Sequence, residues 1–305
     1  MKKGPGLLSS FGKKSKEPLT KDYRLDQKFS ISTASVAGVA LRSTATNKDG
    51  VSTVDVGAVF KSKNTSIGVK IDEQSTISLT FVLKKIVPLT NFVASFNLRD
   101  FESGKIATTL TFTEIAPSTN AIASFQLPNF RSGKLKVQYF HHHATLASTL
   151  ALNQAPCINV SATIGTPTFA MGAKAAYETT STKLINFAVG INFNRPDSTA
   201  SLVLCDNGDT IRAFYGHRFD VSKKTATAVG ITRRLSTNET DVVVGGCYVF
   251  DDQTLVKARL DNCGKLGAVW QHRLIRRSLV SLSSELDTKA LHKTPKFGLA
   301  LVLKP

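Results

Sequence analysis

The sequence predicts an all-β transmembrane barrel of up-and-down antiparallel strands, preceded by one short amphipathic helix. Short segments alternate apolar with polar or small residues from about Asp26 to the end, which is the period of half-buried strands. About 21 such segments can be counted over roughly 280 residues. That is about 13 residues per strand plus turn, a spacing that suits hairpin-connected, membrane-crossing strands. Finally, a run of about 29 residues occurs twice in tandem, and each copy has the size of one β-hairpin.

The first 25 residues stand apart. Leu7, Leu8 and Phe11 fall at i, i+1 and i+4, and Lys13, Lys14 and Lys16 fall elsewhere on the wheel. The pattern predicts a short amphipathic helix over Leu7–Lys16 that ends at Pro18, since proline cannot continue a helix. A helix this short is unstable alone in water, so its apolar stripe must dock on something.

The strands then follow in order. Phe29, Ile31 and Thr33 oppose Lys28, Ser30 and Ser32, and Ile67, Val69 and Ile71 oppose Ser66, Gly68, Lys70 and Asp72. Ile77, Leu79, Phe81 and Leu83 come next, and later Phe187, Val189, Ile191 and Phe193. Val256, Ala258 and Leu260 oppose Lys257, Arg259 and Asp261, and the chain closes on Phe297, Leu299, Leu301 and Leu303. Turn chemistry separates the segments, as in Asn47-Lys48-Asp49-Gly50, Arg195-Pro196-Asp197 and Asp261-Asn262-Cys263-Gly264.

The repeat pairs Lys85–Asn91 with Glu114–Asn120, Ala94–Leu98 with Ala123–Leu127, and Phe101–Lys105 with Phe130–Lys134, all at an offset of 134 − 105 = 29. A fold that accepts one more hairpin without losing its core is a sheet closed into a large barrel. Size also orients the wall. About 8 strands can be filled by side chains, whereas 16 or more enclose an aqueous channel. The apolar face should therefore meet lipid and the lysine-rich face water; a pair of soluble β-sandwiches is the plainer alternative.

The chain has 305 residues, with 39 basic against 22 acidic and a net charge of +17, which points to anionic partners. No stretch approaches the ~18 apolar residues of a transmembrane helix. The opening Met1–Gly6 has lysines but no apolar secretory core, and arginine is absent before Arg24, unlike a presequence. Cys157, Cys205, Cys247 and Cys263 lack Cys-x-x-Cys spacing, so reduced thiols are expected.

No catalytic constellation is found, so the chain is expected not to be an enzyme and to need no cofactor. His141, His142 and His143 would share a strand end with Tyr139, without a carboxylate or cysteine to complete a metal site. The Gly-Lys pairs at Gly104, Gly133 and Gly264 lack phosphate-loop spacing. A soluble nucleic-acid-binding β protein fits the charge, but no stacking platform or groove-reading motif is present.

Several motifs together resemble the voltage-dependent anion channels, the porins of the mitochondrial outer membrane, and their plant branch most closely. They are Lys3–Leu7, Gly12-Lys13-Lys14, Lys21-Asp22-Tyr23, Lys28–Ile31, Arg131–Tyr139, Val256–Asn262 and Lys296–Pro305. The resemblance implies a helix and linker over 1–25 lodged in the pore of a barrel over 26–305; the hairpin duplication around 85–134 is what this sequence adds, a second copy that family members lack. The family's own count is 19 strands, a number this sequence does not supply. If the second copy is an insertion, 19 + 2 gives 21; a looped-out copy on 19 strands is the alternative.

The resemblance further implies voltage gating and passage of ATP, ADP and phosphate. Implied partners are the lipid bilayer, the outer-membrane import and assembly machinery, and cytosolic kinases or apoptotic factors docked on the surface; homo-oligomers stay open. A plastid envelope is the alternative location. Lys296, Gly298, Leu301 and Leu303 resemble the sorting signal of such barrels. Pro18 departs from the family by sitting where a helix former is expected. Glu73, beside Asp72 at an apparent turn, is not assigned the lipid-facing carboxylate role of some relatives.

Function should then reside in the charge lining the lumen. Arg42, Lys61, Lys70, Lys84, Lys105, Lys134, Lys136, Lys174, Arg212, Lys257 and Arg259 fall on the polar face, and the docked segment would add Lys13, Lys14, Lys16 and Lys21. A mean lumen potential near +20 mV is worth ~0.5 kcal/mol per unit charge and enriches small anions about two-fold. The expectation is weak anion selectivity, with no specific nucleotide site assigned.

Overall fold

A computed structural model gives the fold. It describes residues 4–304 except 36–37, 49, 75, 88–89, 100–104, 128–131, 154–155, 221–224, 275–277, 291 and 293. A single 3-10 turn, Leu8–Ser10, precedes helix α1 (Lys13–Thr20). The strands are β1 (Gln27–Ala34), β2 (Val39–Lys48), β3 (Val51–Lys61), β4 (Thr65–Asp72), β5 (Ile77–Val87), β6 (Thr90–Arg99) and β7 (Lys105–Ala116). There follow β8 (Thr119–Leu127), β9 (Lys134–Phe140), β10 (Ala144–Ala151), β11 (Cys157–Gly165), β12 (Phe169–Glu178), β13 (Lys183–Asn194) and β14 (Ser198–Cys205). The last are β15 (Thr210–Asp220), β16 (Thr225–Arg234), β17 (Glu239–Val249), β18 (Thr254–Asp261), β19 (Lys265–Arg273), β20 (Leu279–Asp287) and β21 (Lys296–Leu303).

Each strand pairs antiparallel with the next, and the ring closes where β1 meets β21 in parallel, from Gln27↔Leu299 to Ile31↔Leu303. The result is a closed barrel of 21 strands. Closure leaves no unpaired sheet edge, the condition for a sheet to stand in lipid. No helix among the described residues is long and apolar enough to cross a membrane.

The register carries one alternation around the ring. Phe29 pairs with Leu301 and Ala45, Met171 with Ile191, and Ile191 with Leu202. These form an outer surface whose large apolar side chains are exposed, including Val56, Phe60, Ile164, Met171 and Phe297. On the other face stand Lys70, Lys174, Lys257 and Arg259, with the N-terminal segment packed among small residues. An apolar outside and a charged inside is the pattern of a membrane barrel.

The repeat is built into the wall twice over. The unit is Ile77–Lys105 followed at once by Ile106–Lys134, with fourteen of the 29 positions identical. Hairpin β5–β6 ends in the pair Val87↔Thr90 after a register break beyond Leu83. Hairpin β7–β8 ends in Ala116↔Thr119 after a break beyond Thr113, the same end pair moved by 29. In the second copy Glu114 takes φ 62° at the bulge and Ser118 φ 63° in the turn after Pro117. The Glu114 N–H donates to Asn120 Oδ1 at 3.2 Å, which gives the displaced backbone a partner.

The structure corrects the N-terminal helix. Leu7–Lys16 is not one helix: Gly12 at φ 70° separates the 3-10 turn from α1. The α-helix begins at Lys13 and holds Pro18 inside it. Proline costs only the bond to the Lys14 carbonyl there, while Lys16 N–H still reaches Gly12 O (2.8 Å) and Lys21 N–H reaches Glu17 O (3.0 Å). His141, His142 and His143 likewise form the exposed β9–β10 connection, because the strand stops at Phe140.

Candidate pore and the docked N-terminal segment

The N-terminal segment runs down the inside of the wall. Thr163 Oγ1 donates to the Gly6 carbonyl. Leu8 and Phe11 then close a small apolar cluster with Ala170, packed by Ala188 and Val203. A side-chain methyl at either of the paired residues Gly172 and Gly190 would lie 3.2 Å from Leu8 Cδ1. These bare positions of β12 and β13 are the seat of Leu8.

Helix α1 continues across β14–β18. Ser15, 2% exposed, shares a 2.6 Å hydrogen bond with Thr199 Oγ1, and Leu19 is equally buried. Lys14 Nζ donates to Asn194 Oδ1 at 3.3 Å, and Lys16 lies over the Phe214 ring at 5.8 Å. The apolar stripe therefore faces the wall and leaves Lys13, Lys14 and Lys16 exposed.

Beyond the helix, the linker is clamped by charge. Lys257 Nζ, on a side chain only 9% exposed, meets Asp22 Oδ2 at 2.6 Å. Arg259 donates to the Leu19 carbonyl at 3.0 Å, pairs with Glu285 at 3.3 Å and stacks on the Tyr23 ring at 4.4 Å. Burial pushes the Tyr23 phenol up to about 12 against the opposing pull of Arg259. A hydrogen bond from Lys21 (2.7 Å) holds Glu17 below the usual carboxylate range, and the same bond raises Lys21. The Ser283 hydroxyl donates to the Arg24 carbonyl. A Cβ on Gly298 would collide with that carbonyl oxygen, so the linker lies where a side chain would otherwise stand.

The cations named from the sequence fall into distinct groups. Lys257 and Arg259 are spent on the clamp, and Lys21 pairs with Glu17. Lys70 pairs with Asp55 at 3.0 Å, Arg212 with Asp206 at 3.8 Å, and Arg42 Nε donates to Ser30 Oγ at 3.4 Å. Lys13, Lys16, Lys61, Lys84, Lys134, Lys136 and Lys174 have no acidic partner among the described residues. The side chain of Lys105 lies outside the described ones. Lys296 and Gly298 share the inner face of β21, and Leu301 and Leu303 the outer face.

Asp22, Tyr23, Glu285 and the bare wall at Gly172 and Gly190 escaped sequence reasoning. Alternation could have placed Glu285, against Leu282 and Leu286, and Gly172, against Met171, on the inner face, as it places Gly190 against Val189 and Ile191.

Comparison with known proteins agrees with this architecture. The profile of the eukaryotic porins matches residues 4–298. Mitochondrial outer membrane protein porin 2 of Arabidopsis thaliana is 48% identical across the whole of both chains. Mitochondrial outer membrane protein porin 5 of Oryza sativa subsp. japonica is 41% identical over 99% of each, and the outer plastidial membrane protein porin of Pisum sativum 37% identical over the whole of both. A family profile along nearly the full chain, full-length relatives and a closed lipid-facing barrel agree: the chain belongs to the eukaryotic porins, as a multi-strand β-barrel of the mitochondrial outer membrane.

Proposed function

We propose that the barrel is a weakly anion-selective, voltage-gated pore for small ions and metabolites such as ATP, ADP and phosphate. The supporting observation is the inward-facing cations without an acidic partner among the described residues: Lys61, Lys84, Lys134, Lys136 and Lys174 on the wall, and Lys13 and Lys16 on the helix. The ion-paired Lys70, Arg212, Lys257 and Arg259 add little to the field, because each carries its counter-charge. A wide aqueous lumen with diffuse positive charge biases permeation rather than filtering it. Voltage acts on charge that can move, and the lysines of α1 ride on a short segment held mainly at Leu8, Leu19 and the Asp22 clamp.

The test is the reversal potential across a salt gradient in planar bilayers. Chloride preference is expected, and Lys→Glu changes at Lys13, Lys16 and Lys134 together should move it toward cations. Cation preference in the unmodified protein would overturn the reading. The terminal Lys296-x-Gly298-x-x-Leu301-x-Leu303 run is proposed as the sorting signal, and kinases or further copies of the chain as surface partners. Import assays on Leu301 and Leu303 variants check the signal, with normal assembly of both as the refuting result.

A further inference from the structure

The lipid-facing wall is not uniform. On β12, β14 and β15 the outward positions include Ala173, Ala200 and Ala213, while Ile191, Leu202 and Tyr215 rise beside them. Small beside large scoops the surface into two adjoining hollows of about 790 and 280 Å³, which share Phe169, Ile191 and Leu202. Their linings are almost wholly carbon. Together they form an apolar groove along β11–β16, in the size range of ligand sites.

The groove ends in a cation at the barrel rim. Phe169 pairs with Phe193, and the Arg195 guanidinium lies over the Phe193 ring at 4.9 Å. Arg195 is exposed in the β13–β14 connection, and no carboxylate pairs with it among the described residues. Its neighbour Asp197 lines the cavity under α1 on the opposite side of the wall. An aromatic face thus holds an arginine at the boundary between hydrocarbon and water, where its donors suit a phosphate.

We propose that this groove binds an anionic phospholipid, with one acyl chain lying along Ala173, Ala200 and Ala213 and the phosphate bonded by Arg195. Choline in a zwitterionic headgroup would set a cation beside Arg195, whereas an anionic headgroup adds no opposing charge. The inference rests on the barrel standing in lipid and not on the selectivity reading.

The chain has a single tryptophan, Trp270, on the outer face of β19 and outside the groove. It reports the general lipid shell, while a Tyr215→Trp, Trp270→Phe variant moves the reporter into the groove. Each protein is reconstituted in phosphatidylcholine bilayers with brominated phosphatidylglycerol or brominated phosphatidylcholine, and fluorescence quenching is compared. Trp at position 215 should favour the anionic lipid about two- to fivefold, the range one exposed ion pair gives, and Trp270 should show no preference. Arg195→Gln in the position-215 background should abolish the preference, and Arg195→Lys should keep part of it. Equal preference at both reporters, no preference at either, or preference that survives Arg195→Gln would each overturn the site, leaving a general lipid shell only.

Discussion

Removing one member of the Lys257–Asp22 clamp should not cost the same as removing the other. Lys257 is 9% exposed and Asp22 30% exposed. Asp22→Asn leaves an ammonium in a largely dehydrated place, where the Lys21 carbonyl at 3.5 Å is its remaining hydrogen-bond partner among the described residues. Lys257→Met leaves a carboxylate that lumen water can reach. Breaking a fully buried pair costs about 3–5 kcal/mol. With one partner partly wet, about 1–2 kcal/mol is expected for Asp22→Asn and under about 1 for Lys257→Met, and the double variant should recover part of the loss. Cys247 lines the cavity beneath α1, so its maleimide labelling, with the other three cysteines replaced by serine, reports undocking. One to two kcal/mol raises the open population about 5- to 30-fold, and labelling should rise in proportion for Asp22→Asn. Equal rates for the two single variants, or none above the parent, would refute the clamp as the hold on the segment.

The remaining predictions concern the linker and the repeat. Tyr23 is a neutral acid whose docked value is raised to about 12, so its contribution is whole below the ordinary tyrosine value and is lost as pH rises toward 12. Cys247 protection should therefore fall over that alkaline window. Tyr23→Phe should remove the effect at no cost in docking, since the Tyr23 hydroxyl is buried without a partner among the described residues. Gly298→Ala should displace the Arg24 backbone and raise Cys247 labelling in barrels that still assemble; unchanged labelling would show that the wall gives way instead. Deleting residues 106–134 removes one whole unit and should leave a closed 19-strand pore with conductance lower by about a fifth, from the scaling of diameter with strand number. Failure to close would show that the copies are not interchangeable.

The wall was legible because a half-lipid strand has to alternate. Lys134 and Lys136 between Leu135 and Val137 already state which side is wet, and register with β8 and β10 only repeats it. The duplicated hairpin was legible because its turn and bulge recur with the sequence. Docking through Leu8 and Phe11 was legible too, but the seat was not. Nothing near Leu8 marks the seat formed by Gly172 and Gly190 more than 160 residues away. Asp22, Lys257 and Glu285 meet only after the ring closes. Helix rules placed a stop at Pro18, but α1 tolerates it because the buried faces of Ser15 and Leu19 hold the turn on either side.

The parallel seam has a consequence for where the chain's ends stand. Gln27 lies beside Leu299 and Ile31 beside Leu303, so the first and last strands travel in the same direction. The wall therefore begins at one rim and finishes at the other, whereas a barrel with an even number of strands returns both ends to a single side. Reporters fused behind Lys304 and placed in the β20–β21 connection would face opposite compartments. Protease protection of the two, measured in the intact organelle, would fix which rim looks outward without disturbing the lumen.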